Sequence, residues 1–136
     1  MLRIHKRILE DMLAHAREEL PIEACGYLAG NDGVVTARYE MKNIDNSSEH
    51  FSFDVQEQFS VMKDARSKGL VLLAVYHSHP ATRARPSEED IKLAVDPGVS
   101  YVIASLAGNK EEVKSYKIRD GIVEHEHMEV LNNDKL

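Results

Sequence analysis

Disulfides, long apolar runs and an excess of basic charge are all missing from these 136 residues. The single cysteine, Cys25, cannot form an intrachain disulfide. No apolar stretch approaches the roughly 20 residues that cross a bilayer, so no membrane partner is expected. The segment MLRIHKRILEDMLAHAREEL carries a charge every few residues and has no apolar core, unlike a secretion signal. The net charge of -6 argues against a surface built to coat nucleic acid, yet it is too mild for an acidic disordered tail. There is no linker, internal repeat or low-complexity tract. What remains is an ordinary globular balance, 43% hydrophobic and 29% charged. The expectation is one soluble cytoplasmic domain over 1–136, with residues 131–136 frayed.

Residues 5–20 read as a helix, because Ile8, Leu9, Met12, Leu13, Ala16 and Leu20 recur at three- and four-residue spacing. Pro21 ends it. Residues 24–30 form a short apolar run, Asn31-Asp32-Gly33 a turn, and residues 34–43 a second strand. After a polar loop at 43–50, Asp54 caps a helix with Glu57 three residues on. Val55, Phe59, Met62 and Ala65 are its expected buried stripe. The run LVLLAVYH (70–77) suits a central strand buried on both faces. A third helix is expected from Ser87 to about Val95, a strand follows Pro97-Gly98, and Asp120-Gly121 marks a terminal hairpin. Mixed helices and strands imply an α/β fold with a mixed sheet.

The chemistry concentrates in YHSHPATRARPSEED, Tyr76 to Asp90. Alternate residues of a strand share a face, so His77 and His79 project together while Ser78 points away. They end the most apolar strand, where α/β sheets tend to place ligands. Asp90 lies in the first turn of the next helix and can supply a third ligand. Two imidazoles and one carboxylate match a catalytic zinc site with a fourth position for water. Each half of the pattern has a plainer reading. His-x-His recurs at His125-Glu126-His127, which reads as the exposed face of a strand. Ser87-x-x-Asp90 is also what a helix start wants. The combination, one short loop apart, carries the signal.

H-S-H-P, seven residues from His79 to Ser87, and then S-x-x-D resemble the signature of the JAMM metalloproteases, the zinc-dependent branch of the MPN domain. PIEACGYLAG resembles the family's segment bearing a catalytic glutamate. HFSFDVQEQF and GLVLLAVYHSHP resemble its helix and metal strand, so the likeness runs over roughly residues 5–105. It implies a three-layer α-β-α, cytidine-deaminase-like arrangement in a single JAMM/MPN domain. It also implies one zinc per chain held by His77, His79 and Asp90. Glu23 matches the general base that takes a proton from the activated water, and Ser87 the residue that hydrogen-bonds the oxyanion. Glu23 lies 54 residues before His77, and only the resemblance singles it out.

The compact loops resemble prokaryotic members that process ubiquitin-like sulfur carriers. The implied function is a zinc metallopeptidase cutting a peptide or isopeptide bond at such a carrier's C-terminal tail. Arg83 and Arg85, in the loop beside the ligands, are candidate contacts for an acidic surface or a terminal carboxylate. Cys25 reads as a small buried hydrophobe rather than a nucleophile. Two alternatives stay open: a non-catalytic MPN-type scaffold, and a zinc hydrolase of small peptide or amino-acid conjugates. A nucleoside deaminase would need H-x-E and C-x-x-C, and neither is present.

Overall fold

Leu2 and Ile4 are buried and Arg3 between them is exposed, the period of a strand. The computed structural model describes residues 1–132 and opens with this strand, β1 (Leu2–His5), before α1 (Lys6–Glu18). The helix expected over 5–20 is therefore shorter at both ends. Four residues are too few for a periodicity to stand out against the helical pattern that follows. β2 (Cys25–Asn31) and β3 (Val34–Met41) form a hairpin, then come α2 (Val55–Ser67) and β4 (Val71–His79). α3 (Glu88–Leu93), β5 (Ser100–Ser105), β6 (Glu112–Arg119), β7 (Ile122–Glu126) and β8 (Met128–Leu131) complete the order. Both hairpin turns, Asp32-Gly33 and Asp120-Gly121, have two consecutive positive φ angles, the left-handed geometry that asparagine, aspartate and glycine tolerate best.

The eight strands form one mixed sheet in the order β7-β6-β5-β4-β2-β3-β1-β8. β1 runs parallel to β3 and β8, and β4 parallel to β5; the other pairs are antiparallel. β8 was expected as part of the terminal hairpin. It instead crosses to the far edge and pairs with β1, so Leu131, expected to fray, ends a strand. The rest of the expected tail, from residue 133, lies outside the described residues.

A bulge in β4 between Leu72 and Ala74 sorts the layers. Ala74 and Tyr76 join Ile8 and Met12 of α1 in one core. Leu72 packs on the opposite face with Cys25, Met41 and Val61 of α2. The expected mixed α/β sheet with helices on both faces is what the chain adopts. The stripe expected on α2 holds at Ala65 and is corrected at its other three positions. Val55, Phe59 and Met62 are exposed (62%, 66% and 46%), whereas Val61 and Ala65 are buried. Phe51 and Phe53, from the loop before the helix, fill the space below it and turn the helix onto its other side. Among the described residues no helix is long and apolar enough to cross a membrane.

Candidate metal centre

β4 runs through the middle of the sheet, between β2 and β5, so its carboxyl end is held on both sides. His77 pairs with Cys25 and Ile103, and His79 with Ser105. Both histidines are buried, each 4% exposed. Their Nε2 atoms lie 3.1 Å apart, and Asp90 Oδ2 lies 3.2 Å from His77 Nε2 and 3.1 Å from His79 Nε2. These three are the one group of potential metal ligands that converges among the described residues.

Several neighbours orient the ligands. His79 Nδ1 lies 2.8 Å from the Arg83 carbonyl, which can only accept. That contact puts the proton on Nδ1 and leaves the Nε2 lone pair facing Asp90 and His77. His77 stacks on Phe51, centroids 4.8 Å apart and planes 28° off parallel. Asp90 is fixed by a capping box: the Ser87 hydroxyl accepts from Asp90 N–H at 3.0 Å, and Asp90 Oδ2 accepts from Ser87 N–H at 2.9 Å. Burial alone would raise the Asp90 carboxyl, but its hydrogen bonds to His77 and His79 hold it well below the usual carboxylate range. Burial pushes His77 down, against the pull of Asp90. For His79, burial is outweighed by the bonds to Asp90 and the Arg83 carbonyl, and the imidazole is raised. A charged carboxylate against two crowded imidazoles is a site for a metal cation.

Glu23 comes to the same side of the sheet through the backbone just before β2. Ser78 N–H donates to the Ala24 carbonyl at 2.9 Å, and Ala24 N–H to the Ser78 hydroxyl at 2.8 Å. Glu23 is 3% exposed, and its Oε1 has no hydrogen-bond partner among the described residues. Burial pushes its carboxyl up to about 8, partly offset by His79. The structure thus gathers Glu23, His77, His79, Ser87 and Asp90 into one region. The Arg83 and Arg85 side chains are exposed and form no ion pair among the described residues; what Arg83 gives the site is its carbonyl. The chain reading missed that carbonyl, the Phe51 stack and the Ser78 tether. A backbone oxygen leaves no residue-type signal, and Ser78 read simply as the residue facing away. His125 meets the Tyr116 ring edge-on at 5.6 Å, and His127 sits between β7 and β8.

Beside the ligands opens a mostly apolar cleft of about 430 Å³ between α2 and α3. Phe51, Phe53, Met62, Leu93, His77 and Asp90 are among its walls.

Fold and site together define a class: an MPN-type α/β domain with a His-x-His and aspartate metal centre at the end of its central strand. Residues 5–119 match the prokaryotic homologs of the JAB domain, and the chain belongs to that family. It is 37% identical over 134 residues to the CysO-cysteine peptidase of Mycobacterium tuberculosis, covering 96% of this chain and 92% of that one. It is 35% identical over 122 residues to a probable TtuB-protein conjugate cleaving protease of Thermus thermophilus, covering 89% and 78%. A solution structure of a Desulfitobacterium hafniense protein superposes with a TM-score of 0.91 at 46% identity, covering 99% and 96%.

Proposed function

We propose that this chain is a zinc-dependent metallopeptidase, a single JAMM-type domain that hydrolyses a peptide or isopeptide bond at the C-terminal tail of a ubiquitin-like, sulfur-carrier-type protein. The observation that carries the reading is the convergence of His77, His79 and Asp90 at 3.1–3.2 Å beside a buried Glu23 with a free oxygen. Ligand atoms about 2.0–2.1 Å from a tetrahedral zinc lie roughly 3.3 Å from one another, so this donor set fits the ion. When bound, zinc acidifies a water and polarises a carbonyl oxygen.

The residues divide the rest of the work. His77, His79 and Asp90 hold the ion. Glu23, buried with its Oε1 free among the described residues, takes a proton from the attacking water and returns it to the leaving amine. The Ser87 hydroxyl accepts from Asp90 N–H and so keeps its own proton to donate to the developing oxyanion. The apolar cleft receives the tail, and the exposed Arg83 and Arg85, in the loop between β4 and α3, are candidate contacts for the substrate's acidic groups. Relatives named for CysO-cysteine and for TtuB conjugates support a carrier tail as substrate. A cytoplasmic setting fits a buried lone thiol with no disulfide.

The test has two stages. Elemental analysis should find about one zinc per chain in the wild type, lost or sharply reduced in His77→Ala and Asp90→Ala. Zinc-loaded protein should then trim carriers extended beyond a Gly-Gly terminus. A wild type that takes up no zinc on reconstitution, or that leaves every extended carrier intact, would end this reading.

A further inference from the structure

Glu23 poses a mechanical problem. It lies in irregular backbone between α1 and β2, outside both elements. Its Oε1 has no hydrogen-bond partner that could hold it in place. The anchoring of its backbone therefore bears directly on where the carboxyl group sits. On one side that backbone is tied to β4 through Ala24 and Ser78. On the other it is tied to the loop 43–52, and one side chain organises that loop.

The side chain is Asn43, which is 7% exposed. Its Nδ2 donates to the Glu23 carbonyl at 3.1 Å, the His50 carbonyl at 3.0 Å and, more weakly, the Ser47 carbonyl at 3.4 Å. Its Oδ1 accepts from Asp45 N–H at 3.0 Å and, more weakly, Ser52 N–H at 3.4 Å. Carbonyls can only accept and backbone N–H groups can only donate, so these partners fix which end of the amide is which. The Glu23 N–H itself donates to the Ser47 carbonyl at 2.9 Å, inside the loop that Asn43 closes. The same loop presents Phe51, next to His50, to the face of His77. One buried amide therefore joins the backbone of Glu23 to the aromatic wall of a metal ligand.

We propose that Asn43 is a positioning residue for the hydrolysis: its side-chain amide locks Glu23 and Phe51 into register with His77, His79 and Asp90. The inference rests on the reading of Glu23 as the base. No smaller or differently polar residue reproduces it. Alanine leaves the Glu23 and His50 carbonyls without the donor that Asn43 gives them. Aspartate keeps the acceptor for Asp45 and Ser52 but turns a negative charge on those same carbonyls.

The test uses zinc-loaded full-length protein and a ubiquitin-like carrier extended by one cysteine after its Gly-Gly terminus. Asn43→Ala and Asn43→Asp should keep zinc and lower kcat by about 10- to 100-fold, the scale of a small misplacement of a reacting group, with KM changed by less than about twofold. In a Glu23→Gln background the same substitutions should cost less than about twofold more, because a residue that acts through Glu23 has nothing left to place. A structural residue would cost the same in both backgrounds, and that result would overturn the proposal. So would variants that unfold or lose their zinc, since Asn43 would then belong to the fold. A second readout needs no substrate. Backbone hydrogen exchange at Glu23 should quicken about tenfold or more in Asn43→Ala while the β4 amides of residues 74–77 keep their rates. Unchanged exchange at Glu23 would overturn the proposal. Should the wild type cleave no carrier, or Glu23→Gln stay fully active, the reading of the site would fall, and the exchange rates would still decide whether Asn43 places Glu23.

Discussion

Glu23 and Cys25 are two residues apart and both buried, yet their chemistry diverges. Burial pushes the Glu23 carboxyl up to about 8, where it can trade a proton near neutrality. Burial pushes the Cys25 thiol up to about 12, where almost none is thiolate, and its Sγ lies against the Met41 carbonyl. Glu23→Gln should keep its zinc and lose about 10²–10⁴ in kcat, the range for a general base; full activity in that variant would remove Glu23 from the mechanism. Cys25 in the native protein should resist iodoacetamide at pH 8 over hours and react within minutes in denaturant, as mass spectrometry can follow. Rapid native alkylation would show that β2 opens on that timescale. The two residues were not equally legible. A lone cysteine in an apolar run reads directly as a core residue. Glu23 follows a helix-ending proline and resembles any surface acid, because what brings it to the sheet is a pair of bonds between Ala24 and Ser78 across 54 positions. The likeness to a known signature supplied what spacing could not.

Elements that announce their own ends were readable. Asp54 accepts from Glu57 N–H at 3.0 Å, and the Ser87–Asp90 box has both its bonds. The Asp-Gly turns, the proline after α1 and the apolar run of β4 all lie where their residues put them. Elements defined by a distant partner were not. β1 and β8 are four residues each and exist because they pair with one another. The face of α2 depended on Phe51 and Phe53 occupying the space that its own Phe59 and Met62 were expected to fill. On the proposed reading α3 couples folding to metal binding, because one capping box both starts a six-residue helix and aims Asp90. Ser87→Ala should therefore have two effects. Removing the cap should lower stability by about 1 kcal/mol. Loosening Asp90 should also weaken zinc by about 10- to 100-fold in competition with a chelator, as loss of a ligand's supporting bond does elsewhere. Equal zinc affinity in variant and wild type would mean that the Ser87 N–H bond to Asp90 Oδ2 orients the carboxylate unaided.

The whole molecule is held by a seam that no local pattern reveals. β7 and β8 lie at opposite ends of the strand order but are separated in the chain by His127 alone. The sheet must therefore curl until the end of β7 comes to the start of β8, where Leu2 N–H donates to the His127 carbonyl at 3.0 Å as the first rung of the β1–β8 ladder. Glu126, beside the join, accepts from the Ser100 hydroxyl at 2.6 Å and the Ser115 hydroxyl at 2.8 Å, and its side chain is 9% exposed. It lies 3.6 Å from the amino group of Met1. One carboxylate thus ties β5, β6 and β7 together and reaches the start of β1. Burial opposes its charge, but the two serine hydroxyls, with the Lys117 and Met1 amino groups, together outweigh burial and the carboxyl is lowered from 4.5. A carboxyl that is more acidic folded than unfolded stabilises the fold above its unfolded pKa, and loses that contribution as pH falls through the folded value. Glu126→Gln keeps an acceptor but not the charge, so it should be less stable than the wild type by about 1 kcal/mol at pH 7. The gap should close as pH drops below about 4.5, where the wild type takes up the proton itself. Urea midpoints of the two proteins between pH 7 and pH 3 measure this directly. A gap that stays constant across the range would mean that the serine bonds hold the seam whether or not the group that accepts them is charged.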